Sequence, residues 1–133
     1  DIVYSEKNFY GASLWHPPGV KFDNSALAPT FESIPHDRIE VVIKFFEEFE
    51  KYHPEDAWYL PFIAVDPAKQ RQGIGSFLLK DALQMIDKKN DRAYLEASNE
   101  QNKALYERHG FVEVGRVQFE DSPPAFPMIR EPR

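Results

Sequence analysis

The sequence predicts a single α/β domain in which a mixed β-sheet carries helices on both faces. Three observations predict it. Strand and helix periodicities alternate along the chain in the order strand, helix, strand, helix, strand, helix, strand, strand. An apolar run over residues 57–65 is followed by a polar glycine-bearing loop, an amphipathic helix and a second strand. That succession is a β-loop-α-β crossover, which implies two parallel strands with the helix packed against them. Finally, 133 residues, 42% of them hydrophobic, can bury one core and rarely divide into two, so residues 1–133 are expected to form one domain.

Residues 9–15 predict a strand closed by the turn Pro17-Pro18-Gly19 and paired with a short segment at residues 2–4. Residues 20–34 mix Asn, Ser, Pro and Thr and predict a mobile connection. From Pro35 the pattern turns helical: Ile39, Val42, Ile43, Phe46 and Phe49 recur at three- and four-residue spacing, and His53-Pro54 ends the run. The acidic residues Glu47, Glu48 and Glu50 read as that helix's solvated face. Residues 57–65 are aromatic and aliphatic almost throughout, as expected of a central strand covered on both faces. Pro61 within it predicts either a bulge, where a ladder hydrogen bond is missing, or a simple kink.

The following helix runs to about Lys88 on a stripe of Ile74, Leu78, Ala82, Met85 and Ile86, widened by Leu79 and Leu83. Residues 93–97 form the next strand. Ser98 and Gln101 have the spacing of a capping box for a short helix that Gly110 stops, and residues 111–117 and 127–130 predict two closing strands.

Composition excludes several chemistries. With no cysteine there is no disulfide, no thiolate metal site and no Cys nucleophile. The four histidines, His16, His36, His53 and His109, lack metal-site spacing, so no metal is expected. A net charge of -6 argues against a nucleic-acid partner. No run approaches the roughly 20 apolar residues of a membrane span, and no signal peptide opens the chain, so a cytoplasmic location without membrane attachment is expected.

Chemistry concentrates in Gln70-Arg71-Gln72-Gly73-Ile74-Gly75 and the adjoining Ser76, between a buried strand and a helix start. Backbone amides there have no intrahelical acceptor, the helix dipole and Arg71 favour negative charge, and the glycines permit close approach, so the loop suits an anion such as a pyrophosphate. A P-loop would need Gly-Lys-Ser or Gly-Lys-Thr at its end, and Ser76-Phe77 follow Gly75 instead. A dinucleotide fingerprint would need a glycine where Leu78 stands. Asn102 and Tyr106, four apart, share one helix face and can serve one ligand.

Gln70, Gly73 and Gly75 fit the Q/R-x-x-G-x-G/A signature of the GNAT superfamily of acyl-CoA N-acyltransferases. Residues 62–67 resemble the strand that precedes this loop in the family. Asn99, Asn102, Tyr106, Glu107, Gly110 and Phe111 are similar to its N-x-x-N-x-x-x-Y-E-x-x-G-F pattern. The segments over residues 11–19 and 128–132 resemble the branch that contains puromycin acetyltransferase.

This resemblance implies a mostly antiparallel central sheet and transfer of an acetyl group from acetyl-CoA to a small-molecule or peptide amine by direct attack. It assigns Ile63, Ala64 and Val65 to the pantetheine arm, Gln70, Arg71, Gln72, Gly73, Ile74, Gly75 and Ser76 to the phosphates, Asn102 to the coenzyme, and Tyr106 to the coenzyme and to protonation of the leaving sulfur. Glu96, Glu55, Asp56 or a held water would take the amine proton, with Glu96, at the end of its strand, the expected catalytic residue. Family members begin with a strand and helices that residues 1–15 cannot supply, so an N-terminally truncated domain is expected. Exposure of Trp15, Phe22 and Phe31 would suit a homodimer. A non-catalytic acyl-CoA binding module is the alternative function.

Overall fold

The computed structural model describes residues 2–19, 29 and 32–133. Most of the connection expected over residues 20–34, with Phe22 and Phe31, lies outside them. Six strands form one sheet: β1 (Ile2–Ser5), β2 (Gly11–His16), β3 (Ala57–Val65), β4 (Arg92–Ala97), β5 (Val112–Glu113) and β6 (Phe126–Arg130), in the order β1-β2-β3-β4-β6-β5. Every neighbouring pair is antiparallel except β3 and β4, the parallel pair the crossover requires. Among the described residues the sheet is accompanied by α1 (His36–Tyr52), α2 (Ile74–Lys88) and α3 (Glu100–Arg108). No helix among the described residues is long and apolar enough to cross a membrane.

Helix α2 forms on its 3.6-residue stripe and buries Leu78, Leu79, Ala82, Leu83 and Ile86 against the sheet. α3 lies on the same face, with Leu105 against the start of α2 and Tyr106 in the shared core with Trp58, Leu60, Leu95, Phe111, Phe126 and Met128. Arg130 fastens this layer at its far end. Its guanidinium donates to both carboxylate oxygens of Asp87, at 2.7 and 2.9 Å, and to the His109 carbonyl at 2.8 Å, which holds the Asp87 carboxyl below its ordinary range. α1 covers the opposite face and only in part. Its Phe45 meets Phe119 edge-on at 5.0 Å, and no α1 residue is fully buried.

Of the bulge and the kink that Pro61 allows, the structure has the bulge. Leu14 pairs with Phe62 and His16 with Tyr59, so β3 carries one more residue than β2 over this interval. The extra residue inverts the alternation: Trp58 and Leu60 face α2, and beyond the bulge Ile63 does, while Phe62 joins Tyr59 on the α1 face. Phe62 is 53% exposed there, so β3 is not covered on both faces along its whole length.

Three further expectations are corrected. Trp15 is fully buried rather than exposed, because α2 crosses over β2 and β3 above it. Asn99, not Ser98, caps α3: its side chain accepts the Asn102 backbone N–H at 2.7 Å. The strand expected over residues 111–117 pairs only at Val112–Glu113, with an isolated bridge from Val117 to Ala125. Between them Gly115 lies under the ring of Tyr52, where a side chain would collide.

Candidate active site

The β3–β4 ladder runs from Ala57↔Arg92 to Tyr59↔Tyr94 and stops. β3 continues to Val65 and β4 to Ala97 without pairing to each other, so the two strands enclose a fork that opens toward the end of β3. A proline with no backbone N–H and the bulge beside it account for the separation on the β3 side.

The glycine turn stands at the open end. The Asp66 carboxylate accepts the Ala68 N–H at 2.9 Å and caps a single 3-10 turn, Pro67–Lys69. The Gln70 side-chain amide donates to the Val65 carbonyl at 3.3 Å, tying the loop to the strand it leaves. Arg71 and Gly73 take positive φ of 65° and 82°, reversing the chain so that α2 can start. The first bond of that helix runs from Phe77 N–H to the Gly73 carbonyl, leaving the amides of Ile74, Gly75 and Ser76 without an intrahelical acceptor. Gly11 of β2 lies against this helix start: a Cβ there would fall 2.8 Å from Ile74 Cγ2 and 3.2 Å from the Ala64 carbonyl.

On the α2–α3 face, Tyr106 is 6% exposed and meets Phe111 edge-on at 6.1 Å. Burial pushes its phenol up to about 12, so it stays protonated throughout the physiological range. Asn102 sits one turn earlier, its side-chain amide 3.4 Å from Ser98 Oγ, and Ser76 Oγ lies 3.1 Å from His109 Nε2.

On the α1 face, Glu96 lies beyond the last ladder pair. The Tyr59 hydroxyl donates to its carboxylate at 2.6 Å. Burial raises the Glu96 carboxyl above its ordinary value, and the hydroxyls of Tyr59 and Tyr94 pull it part of the way back. Both phenols are pushed far up by burial and by the Glu96 charge. The ring of His53, at the end of α1, stacks on Tyr94 at 4.8 Å and stands 4.5 Å from Tyr59; burial lowers its pKa against the opposing charge of Glu50.

The other two proposed bases, Glu55 and Asp56, precede β3 at the closed end of the fork, where Asp56 is engaged by Arg92. Ile63, Ala64 and Val65 line the β3 arm. Tyr59, Tyr94 and His53 were not singled out in the sequence. Tyr94 and Glu96 share strand parity, but their meeting with Tyr59 follows from the parallel register, which no local pattern encodes.

Comparison with known proteins adds to this geometry. A model of the acetyltransferase (GNAT) domain matches residues 46–132, more than half of the chain. The chain is 28% identical to an uncharacterized N-acetyltransferase of Schizosaccharomyces pombe over 98% of its own length and spans 60% of that protein. Among solved structures, the histone acetyltransferase HPA2 and related acetyltransferase from Corynebacterium glutamicum superposes with a TM-score of 0.65 at 23% identity, covering 97% of this chain and 62% of that one. Arylalkylamine N-acetyltransferase 2 from Aedes aegypti gives 0.70 at 10% identity, over 97% of this chain and 71% of that one. At these identities the two structures speak for the fold alone.

Proposed function

The chain belongs to the GNAT acetyltransferase family, and from that premise we propose that it transfers an acetyl group from acetyl-CoA to a primary amine, held as a small molecule or peptide. The observation that carries this reading is the fork between β3 and β4, with free backbone amides at its mouth and a partly buried carboxylate at its base.

Acetyl-CoA supplies the acyl group as an activated thioester. The amides of Ile74, Gly75 and Ser76, with Arg71, bind the diphosphate through charge-assisted hydrogen bonds. The unpaired edge of β3 at Ile63, Ala64 and Val65 aligns the pantetheine arm, and an N–H near Ile63 or Ala64 faces the carbonyl oxygen as it gains charge. Glu96 accepts a proton from the incoming ammonium, and its raised affinity for protons suits that task. Tyr106, protonated at rest, donates to the departing sulfur, whose thiol has a pKa of about 8.5 judged from cysteine. No covalent enzyme intermediate is required. A cytoplasmic location and kinship to the puromycin acetyltransferase branch belong to the same proposal and rest on the sequence.

The test is acceptor-stimulated release of free thiol from acetyl-CoA across a panel of amines, with Tyr106→Phe and Glu96→Gln as controls. Turnover that falls in both variants supports the reading. Saturable coenzyme binding without stimulated release supports a non-catalytic acyl-CoA module, and full turnover in Tyr106→Phe at every pH removes Tyr106 as the acid.

A further inference from the structure

His109 closes α3 and Ser76 lies in the first turn of α2, and the two meet across the helix pair with His109 Nε2 3.1 Å from Ser76 Oγ. Diphosphate binding through the Ser76 backbone amide leaves both side chains without a role. We infer that His109 positions the Ser76 hydroxyl for the anion: its Nε2–H donates to Ser76 Oγ, the single hydroxyl proton is left to point at the diphosphate, and coenzyme binding draws a proton onto the ring. The inference rests on the donor reading above and adds to it a proton-linked positioning residue.

The direction of the bond follows from what each group can give. A serine hydroxyl has one proton to donate and two lone pairs to receive with. If the ring accepts that proton, only lone pairs face the turn, and they repel a phosphate oxygen. If Nε2 carries a proton, Ser76 Oγ receives it and the hydroxyl becomes a donor beside the free amides of Ile74, Gly75 and Ser76. The neutral Nε2–H tautomer meets this condition. The imidazolium meets it with a positive charge one hydroxyl away from the anion, so the anion favours it.

The surroundings hold the ring neutral until an anion arrives. Its backbone is fixed: the N–H donates to the Tyr106 carbonyl at 3.0 Å, and the carbonyl accepts Arg130 Nε at 2.8 Å. Partial burial, then the charges of Arg108 on α3, Arg130 on β6, Arg133 beyond it and Lys80 on α2, lower the pKa of the ring. Asp87, the carboxylate of α2 in this cluster, is engaged by Arg130 at 2.7 and 2.9 Å and by the Arg133 N–H at 3.1 Å, so its charge is already answered. A diphosphate brings two negative charges up to this group of cations and reverses the balance. The pKa in the complex then exceeds that of the free chain. Affinity is therefore highest below the free value and declines as pH rises through the bound one.

Calorimetric titration with 3′-dephospho-coenzyme A from about pH 5 to about pH 8 tests this, because that ligand keeps the diphosphate and has no phosphate monoester titrating at about pH 6. The wild type is expected to bind about fivefold more tightly at the acidic end. The His109 ring signal in proton NMR, identified by its loss in His109→Gln, should titrate at higher pH in the complex than in the free chain. His109→Gln keeps a side-chain N–H donor without a titrating group, so it should bind within about twofold of wild type at the alkaline end and lose the pH dependence. Ser76→Ala cuts the relay and keeps the ring, and should bind about threefold more weakly at the acidic end. A His109 signal whose titration the ligand does not move, a pH profile that His109→Gln leaves intact, or wild-type affinity in Ser76→Ala at every pH overturns the inference and leaves the donor reading standing. A wild type that binds the ligand at no pH overturns the donor reading and this inference with it.

Discussion

The two faces of the sheet are built to opposite rules. Under α2 and α3, Leu79, Ala82, Ile86, Ala93, Ala97, Phe126 and Met128 are fully buried and apolar, so that face is a close-packed core. Under α1, Tyr59, Tyr94, Glu96 and His53 form a partly buried polar group, while Phe62 at 53% and Val3 at 66% exposure are left open. Burying a carboxylate carries a free-energy penalty that hydrogen bonds only partly relieve, so a fold that needed stability alone would place an apolar residue at position 96. The difference teaches that one face fixes the geometry of the fork with close-packed apolar groups, while the other sets polar, titratable groups beside it.

The largest effect that would sharpen this contrast belongs to Glu96→Gln. Steady-state thiol release should fall by about 10²- to 10⁴-fold. Stability at pH 7, measured by urea unfolding, should hold or rise. Burial raises the folded pKa of this carboxyl, so folding disfavours the charged form; stability from this group is present at low pH and lost as pH rises through the folded pKa, and the variant removes that loss. A variant that unfolds at pH 7 would mean that the carboxylate is a structural support.

Leu79→Ala probes the opposite face and should lower unfolding free energy by about 3 kcal/mol, leaving kcat per folded molecule near wild type. A loss below about 1 kcal/mol would contradict a close-packed layer there.

Tyr59→Phe should act more gently, lowering kcat severalfold and shifting the acidic limb of the pH–rate profile. The Tyr59 hydroxyl lowers the Glu96 pKa, so its removal raises that pKa and moves the limb to higher pH. A limb that stays in place would detach Glu96 from the rate.

Gly73→Ala should give the smallest effect, about 1 kcal/mol of stability, because an L-residue at a φ of 82° is strained even with open space around it. Thermal unfolding of that variant at wild-type midpoint would show that the turn relaxes.

The parts legible in the sequence were those with local periodicity. The stripe of α2 follows from spacing within one element and the parallel crossover from the succession of strand, loop, helix and strand, while Pro61 marked β3 as bulged or kinked without deciding between them. The parts missed depend on choices between equivalent neighbours or on distant register. Ser98 and Asn99 are both competent caps, and only the geometry selects Asn99. Trp15 lies in a strand near the chain start, and its burial depends on where α2 crosses. The Tyr59–Glu96 bond joins positions 37 apart, and the bulge that turns Phe62 to the α1 face breaks the alternation that residue counting assumes.

The fork and its glycine turn can be examined most directly by amide chemical-shift mapping of the isotope-labelled chain during titration with coenzyme A. Saturable shifts concentrated at Ile63, Ala64 and Val65 and at Gly73, Ile74, Gly75 and Ser76 are the predicted result. Binding that leaves those amides unmoved, or no binding at all, would contradict it.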